Sequence, residues 1–180
     1  MNEIAIVFHS GYGHTREVAK AVAEGSGGCL IEIDQEGQLP DAAWQTLADA
    51  RLIVMGSPTY MGGASWQFKR FADASSKVWF GQGWKDKIAA GFTNSASMNG
   101  DKHSTLHYFM TLAMQHGMLW VGSGMMPANT KASGRNDLNY LGAFAGLMTT
   151  TPSDASTEEM VPGDLETARA FGKRLAAVLS

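Results

Sequence analysis

The sequence predicts an α/β protein: a doubly wound sheet of five parallel strands in the order 2-1-3-4-5, with helices on both faces. Three observations predict it. Short apolar runs alternate with helix-length amphipathic segments along the chain. The runs are nearly continuous in apolar residues, as expected of parallel strands covered on both faces. Glycine- and hydroxyl-rich segments follow several runs, where an open parallel sheet carries its ligand loops.

Strands are expected at 3–8, 29–33, 51–56, 87–93 and 118–122, and helices at 15–25, 41–49, 64–77, 103–116 and 164–179. The first strand is Ile4-Ala5-Ile6-Val7-Phe8, and Val18, Ala19, Val22 and Ala23 form the apolar stripe of the helix after it. Phe68, Phe71 and Ala72 mark the third helix. Leu106, Phe109, Met110 and Ala113 mark the fourth, and Leu165, Ala168, Gly172, Leu175 and Leu179 the last. Right-handed crossovers restrict the topology and place the ligand crevice at the switch point between strands 1 and 3. Residues 1–180 read as one domain with a long insertion, 123–163, before the last helix. Insertions that long usually function or cover an interface; Tyr140-Leu141-Gly142-Ala143-Phe144 is its markedly apolar part.

Fourteen basic and 17 acidic residues leave a net charge of −3, with no basic block to recruit nucleic acid. The single cysteine, Cys29, excludes an intrachain disulfide and a cysteine-rich metal site, and reads as a small core residue. No charged n-region precedes an apolar stretch, and no run approaches membrane-spanning length. A cytoplasmic location without membrane contact is therefore expected.

The first loop, Ser10-Gly11-Tyr12-Gly13-His14-Thr15, joins a buried strand to an amphipathic helix. It aims backbone N–H groups and a helix N-terminus at one spot, which suits a phosphate. A P-loop is excluded, because no Lys follows a glycine at the required spacing. A dinucleotide fingerprint has its first two glycines in Gly11 and Gly13, but Arg16 stands at the third; Asp34 keeps that reading open as a ribose ligand. The loop that holds the terminal phosphate of FMN, hydroxyl-rich, glycine-containing and without positive charge, fits best. An ordinary tight turn accounts for the glycines equally well when the loop is taken alone.

Two further loops fall on the same edge. Gly56-Ser57-Pro58-Thr59-Tyr60-Met61-Gly62-Gly63 offers a hydroxyl and apolar surface for a ring. Thr93-Asn94-Ser95-Ala96-Ser97-Met98-Asn99-Gly100 offers small polar residues and backbone N–H groups for the edge of a heterocycle. A phosphate cradle, an apolar wall and a polar rim together describe FMN.

Ser10-Gly11-Tyr12-Gly13-His14, Gly56-Ser57-Pro58-Thr59, Gln115-His116-Gly117-Met118 and Tyr140 resemble the WrbA family of FMN-dependent NAD(P)H:quinone oxidoreductases over nearly the whole chain. The resemblance implies a flavodoxin-like fold, one FMN per subunit, two-electron reduction of quinones by NAD(P)H, and homodimers or homotetramers. It implies that Ser10 through Thr15 bind the phosphate and ribityl chain. Pro58, Thr59, Tyr60, Met61 and Gly62, with Asn94, Ser95, Ala96, Ser97, Met98 and Asn99, then border the ring. Gln115 stands where the family has the histidine near the flavin. Tyr12, Tyr60 and Trp79 fall beside the substrate. Four features depart from the family: Gln115 itself, Tyr60 in place of an arginine, Ala96-Ser97-Met98-Asn99-Gly100 in place of a glycine-rich run, and Leu147-Met148-Thr149-Thr150-Thr151 where a Gly-Gly-Asp-Gly stretch is usual. No side chain is required as acid or base, since the flavin carries the chemistry.

Other candidates have plainer readings. His103 and His107 share a helix face without an acidic partner, so no metal site is expected. The methionines from Met110 to Met126 fill core or interface. His9 is first a strand-end residue and second a flavin contact. There is no G-x-S-x-G nucleophile elbow. A receiver domain would need acidic residues near His9 and Ser57. An electron-transfer flavodoxin is the alternative function; such carriers are usually more acidic around the flavin.

Overall fold

The computed structural model describes residues 3–180. In chain order it contains β1 (Ile4–Phe8), α1 (His14–Ser26), β2 (Cys29–Glu32), α2 (Asp41–Asp49), β3 (Leu52–Tyr60), β4 (Gly63–Ala64), α3 (Trp66–Ala74), α4 (Ser76–Phe80), β5 (Ile88–Ser95), α5 (Lys102–Gln115), β6 (Leu119–Trp120), β7 (Leu147–Thr150) and α6 (Pro162–Leu179). The main sheet path is β2-β1-β3-β5-β6, with every pair parallel. These are the five expected strands in the expected order, and the fold is flavodoxin-like.

Side chains alternate across the strands, so each strand feeds two cores. Ile4, Ile6, Phe8, Leu52, Val54 and Phe92 pack with Val18, Val22, Phe171 and Leu175 of α1 and α6. Ala5, Val7, Ile53, Met55 and Ala89 pack on the other face with Leu47, Phe68, Phe71, Leu106 and Phe109 of α2, α3 and α5. Burial on both faces explains the continuous apolar runs.

The structure differs from the expectation at four places. First, β3 continues through Ser57, Pro58, Thr59 and Tyr60, which the sequence suggested as loop. Its parallel pairing with β5 extends to Pro58↔Asn94, and Thr59 and Tyr60 pair with the short antiparallel β4. Second, Met61 and Gly62 close that hairpin at φ 47° and 80°, the backbone that a two-residue primed turn requires. Third, the helix expected at 64–77 divides into α3 and α4. The Ser65 hydroxyl caps α3 by accepting from the Phe68 N–H at 3.3 Å. At the junction, the Ser75 hydroxyl donates to the Ala72 carbonyl at 2.6 Å.

Fourth, the segment after the last expected strand re-enters the sheet. β6 pairs only with Ile88 and Ala89, at the start of β5. The chain leaves at Val121 and returns as β7, which pairs with Phe92 through Ser95 on the same edge. The outermost strand position is therefore shared by two short pieces, with residues 121–146 looped out between them.

Candidate functional site

The carboxyl ends of β1, β3 and β5 surround a cleft of about 210 Å³ lined by Tyr12, His14, Thr15, Pro58, Thr59, Tyr60, Asn94, Ser95, Ala96, Thr151 and Ser153. Nine of these eleven were expected from the sequence. They meet because the crossovers bring three strand ends to the β1/β3 switch point.

At one end of the cleft, the Ser10–Gly13 loop turns into α1. Gly13 occupies the N-cap position at φ 94°, and no side chain caps the helix. Of the first-turn N–H groups, which have no intrahelical acceptor, those of His14 and Thr15 are available to an anion. Ser10 is buried, and its hydroxyl accepts from the Arg16 N–H at 3.1 Å. Arg16 does not serve the loop as a cation. Its guanidinium makes a bidentate pair with Glu32 at 2.7 and 2.9 Å. The donors left at this loop are backbone N–H groups and hydroxyls. His14 Nε2 lies 2.8 Å from the Ala155 carbonyl oxygen and ties the start of α1 to the segment after β7.

The apolar wall is Tyr60 with Tyr12, an edge-to-face pair with centroids 6.2 Å apart. A Cβ on Gly11 would come within 2.5 Å of the Tyr60 hydroxyl, so glycine there lets Tyr60 lie against the loop. Partial burial, and secondarily Tyr12, pushes the Tyr60 phenol above its ordinary pKa. Met61 and Gly62 stand exposed at the hairpin tip beside this wall.

The opposite side is built from hydroxyls. Thr59 Oγ1 lies 2.8 Å from both Thr93 Oγ1 and Thr105 Oγ1. The Asn94 side-chain oxygen accepts from Thr149 Oγ1 at 2.8 Å and from Thr151 Oγ1 at 3.2 Å. After Ser95 the chain turns sharply, and Ala96, Ser97, Met98 and Asn99 are exposed on the turn. Gly100, at φ 55°, closes it where a Cβ would lie 2.2 Å from Ser95 Oγ. Beneath the turn is Lys102, fully buried, its Nζ within 2.7–2.9 Å of four oxygens, Ser95 Oγ, the Ser97 and Met98 carbonyls and Thr150 Oγ1, which share its three N–H donors. Burial lowers the Lys102 pKa to about 8, with Asp164 opposing the shift and Arg135 adding to it.

Behind β7, the buried Asp164 accepts from both terminal nitrogens of Arg135 at 2.5 and 2.6 Å and from the Thr150 N–H at 2.8 Å. Lys102, Asp164, Arg135, Thr151 and Ser153 were not expected from sequence. The β-branched run Thr149-Thr150-Thr151 after Leu147-Met148 was the available signal for β7.

Gln115 and Trp79 do not join this cleft. They line a separate cavity with Lys69, Asp73, Tyr108 and His116, among α3, α4 and α5. Gln115 ends α5, whose first residue, Lys102, is at the cleft; fourteen residues of helix span about 20 Å. The neighbouring His116 is occupied structurally, its Nε2 2.9 Å from Ser75 Oγ. His9 is buried, its ring nitrogens without partners, and burial lowers its pKa. His103 and His107 stack on one helix face at 6.2 Å. Among the described residues, no helix is long and apolar enough to cross a membrane.

A helix start with free N–H groups at His14 and Thr15, a tyrosine wall and a polar rim fit a phosphate joined to a flat heterocycle. Comparison with known proteins agrees. The family model for NADPH-dependent FMN reductase matches residues 13–132. The chain is 52% identical to flavodoxin FldP of Pseudomonas aeruginosa over 178 residues, covering 99% of this chain and 97% of the relative. It is 32% identical to an NAD(P)H dehydrogenase (quinone) of Trichlorobacter lovleyi, over 68% of this chain and 72% of that protein. The crystal structure of a WrbA-like flavodoxin from Agrobacterium tumefaciens superposes with a TM-score of 0.80 at 48% identity, covering 99% and 97% of the two chains. The chain belongs to the WrbA-like flavodoxin/FMN reductase family and is an FMN-binding, flavodoxin-like oxidoreductase.

Proposed function

We propose that the cleft holds FMN with its phosphate in the Ser10–Thr15 loop, and that the protein passes two electrons from NAD(P)H to a quinone or similar flat acceptor. The observation that carries this reading is the junction, in one opening, of the start of α1, where the one cation, Arg16, is paired with Glu32, with the slot between Tyr60 and Asn94–Ala96. Ser10, Gly11, Tyr12, Gly13, His14 and Thr15 present donors to the phosphate and ribityl groups. Pro58, Thr59, Tyr60, Met61 and Gly62 border one side of the ring, and Asn94, Ser95, Ala96, Ser97, Met98 and Asn99 its polar edge. FMN, when bound, supplies the hydride and electron chemistry, and the protein supplies orientation and electrostatics. Exposed Tyr12 and half-exposed Tyr60 offer flat surface to the nicotinamide and then to the acceptor.

The NAD(P)H dehydrogenase (quinone) relative supports this choice of donor and acceptor. A cytoplasmic location, with its NAD(P)H supply, belongs to the same reading. So does a homodimer or homotetramer, for which Trp79 and the strongly exposed Phe80 offer apolar interface material. Because Trp79 and Gln115 lie outside this chain's own cleft, any role near a ring requires a neighbouring subunit to present them. A monomer at micromolar concentration in sedimentation would remove that role.

The test is calorimetry of the apoprotein with FMN and riboflavin, followed by turnover. Tight FMN binding, riboflavin at least tenfold weaker, and NADH or NADPH oxidation coupled to quinone reduction are expected. Absence of FMN binding overturns the reading. A second reading, a one-electron carrier, is favoured by the name of the 52%-identical flavodoxin relative. Accumulation of a one-electron form during reductive titration, with no quinone turnover, would establish it.

A further inference from the structure

We propose that Lys102 is a positioning residue of the cofactor cleft: its buried ammonium braces the Ser95–Met98 turn and holds an unneutralised positive charge behind the wall, favouring reduced over oxidised FMN. The inference rests on the FMN reading above.

Lys102 is 1% exposed, and its four oxygen partners are neutral: two hydroxyls and two carbonyls. It belongs to no ion pair among the described residues. The carboxylate that acts on it from α6, Asp164, is already engaged by Arg135 of the looped-out segment and by the Thr150 N–H. β5, its following turn and β7 contribute only hydroxyls and carbonyls around the ammonium. The sequence neighbours Asp101, just before α5, and His103, on it, are exposed. A cation buried among neutral dipoles costs free energy, and an anion arriving nearby reduces that cost.

Ser95, which accepts directly from the ammonium, also lines the cleft. The charge therefore sits one side-chain layer behind the cleft wall. Reduction of FMN by two electrons and one proton adds one negative charge to the ring. A brace that only orders the turn would help both redox forms equally. A charge helps the reduced form more. Burial also brings the Lys102 pKa down to about 8, so the charge is lost as pH rises above that value.

The experiment measures the dissociation constants of oxidised and anaerobically reduced FMN for the wild-type apoprotein, Lys102→Met and Lys102→Gln. Both substitutions are expected to lower the preference for reduced FMN about tenfold, which for a two-electron couple is about 30 mV in midpoint potential. Equal weakening of both forms would reduce Lys102 to a brace and overturn the proposal. Wild-type protein gives an independent reading should the variants misfold. Corrected for the ionisation of free flavin, its preference for the reduced form should fall as pH rises above about 8; a flat profile overturns the proposal. Failure of wild-type protein to bind either form would overturn the FMN reading instead.

Discussion

The two ends of the cleft are built on opposite principles. The Ser10–Thr15 end is one contiguous strand–loop–helix, and its neighbouring cation, Arg16, is neutralised by Glu32. The Ser95–Met98 end is assembled across the chain. A buried lysine reaches Thr150, 48 residues away, and an aspartate from α6 fastens both Arg135 and the β7 backbone. One end uses fixed backbone dipoles, the other side-chain charge. The FMN placement proposed above, phosphate at the first end and ring at the second, would account for the difference. A phosphate keeps its charge through the reaction, so fixed donors suffice. A flavin ring changes charge on reduction, and a side-chain cation behind it can distinguish the two states.

The comparison breaks most readily at the ring end. Asp164→Ala removes a buried carboxylate from Arg135 and from the Thr150 N–H. Removing one partner of a buried pair costs about 3–5 kcal/mol, so a loss near 3 kcal/mol is expected in urea denaturation. A loss below about 1 kcal/mol would show that this end needs no long-range support.

The pH dependence of apoprotein stability sharpens the same end. A folded-state Lys102 pKa of about 8 is below the unfolded value of about 10.4. Between these values the unfolded chain binds more protons, so stability should rise as pH climbs from about 8 towards 10. The bound on that rise is roughly 3 kcal/mol, and it should be smaller in Lys102→Met, measured by chemical denaturation at each pH.

At the phosphate end smaller effects are expected. Ser10→Ala removes the acceptor of the Arg16 N–H. It should cost about 1 kcal/mol and weaken FMN more than riboflavin in calorimetry. Arg16→Gln should do least. Its pair with Glu32 is partly exposed, worth at most about 1 kcal/mol, and FMN affinity should change less than twofold. A tenfold loss would show that the phosphate end also depends on charge, and the contrast between the ends would fail.

Legibility followed the same division. The Ser10–Thr15 loop was readable because strand, glycines, hydroxyls and helix are adjacent in the chain. Thr59, Tyr60 and Asn94–Ala96 were readable as strand-end residues, although β3 and β5 run further than apolar content suggested. Pairing through Pro58↔Asn94 stabilises extended backbone that composition alone reads as loop. Nothing in the local sequence marks Lys102, because its burial depends on a turn and a strand from elsewhere. Gln115 and Trp79 share a cavity with each other rather than with the cleft, since α5 carries its two ends to opposite ends of the sheet.

Periodicity and neighbouring residue types by themselves determined the order of strands and helices, the two-faced burial of the sheet and the strand–loop–helix at Ser10–Thr15. These depend on backbone hydrogen bonding and side-chain spacing within a few residues. Only the tertiary structure decided that the last strand position is shared by β6 and β7, that Asp164 is committed to Arg135, and that a lysine lies buried behind the cleft. Those features come from surfaces that meet after the chain has crossed the sheet, and the energy of such a meeting resides in neither segment alone.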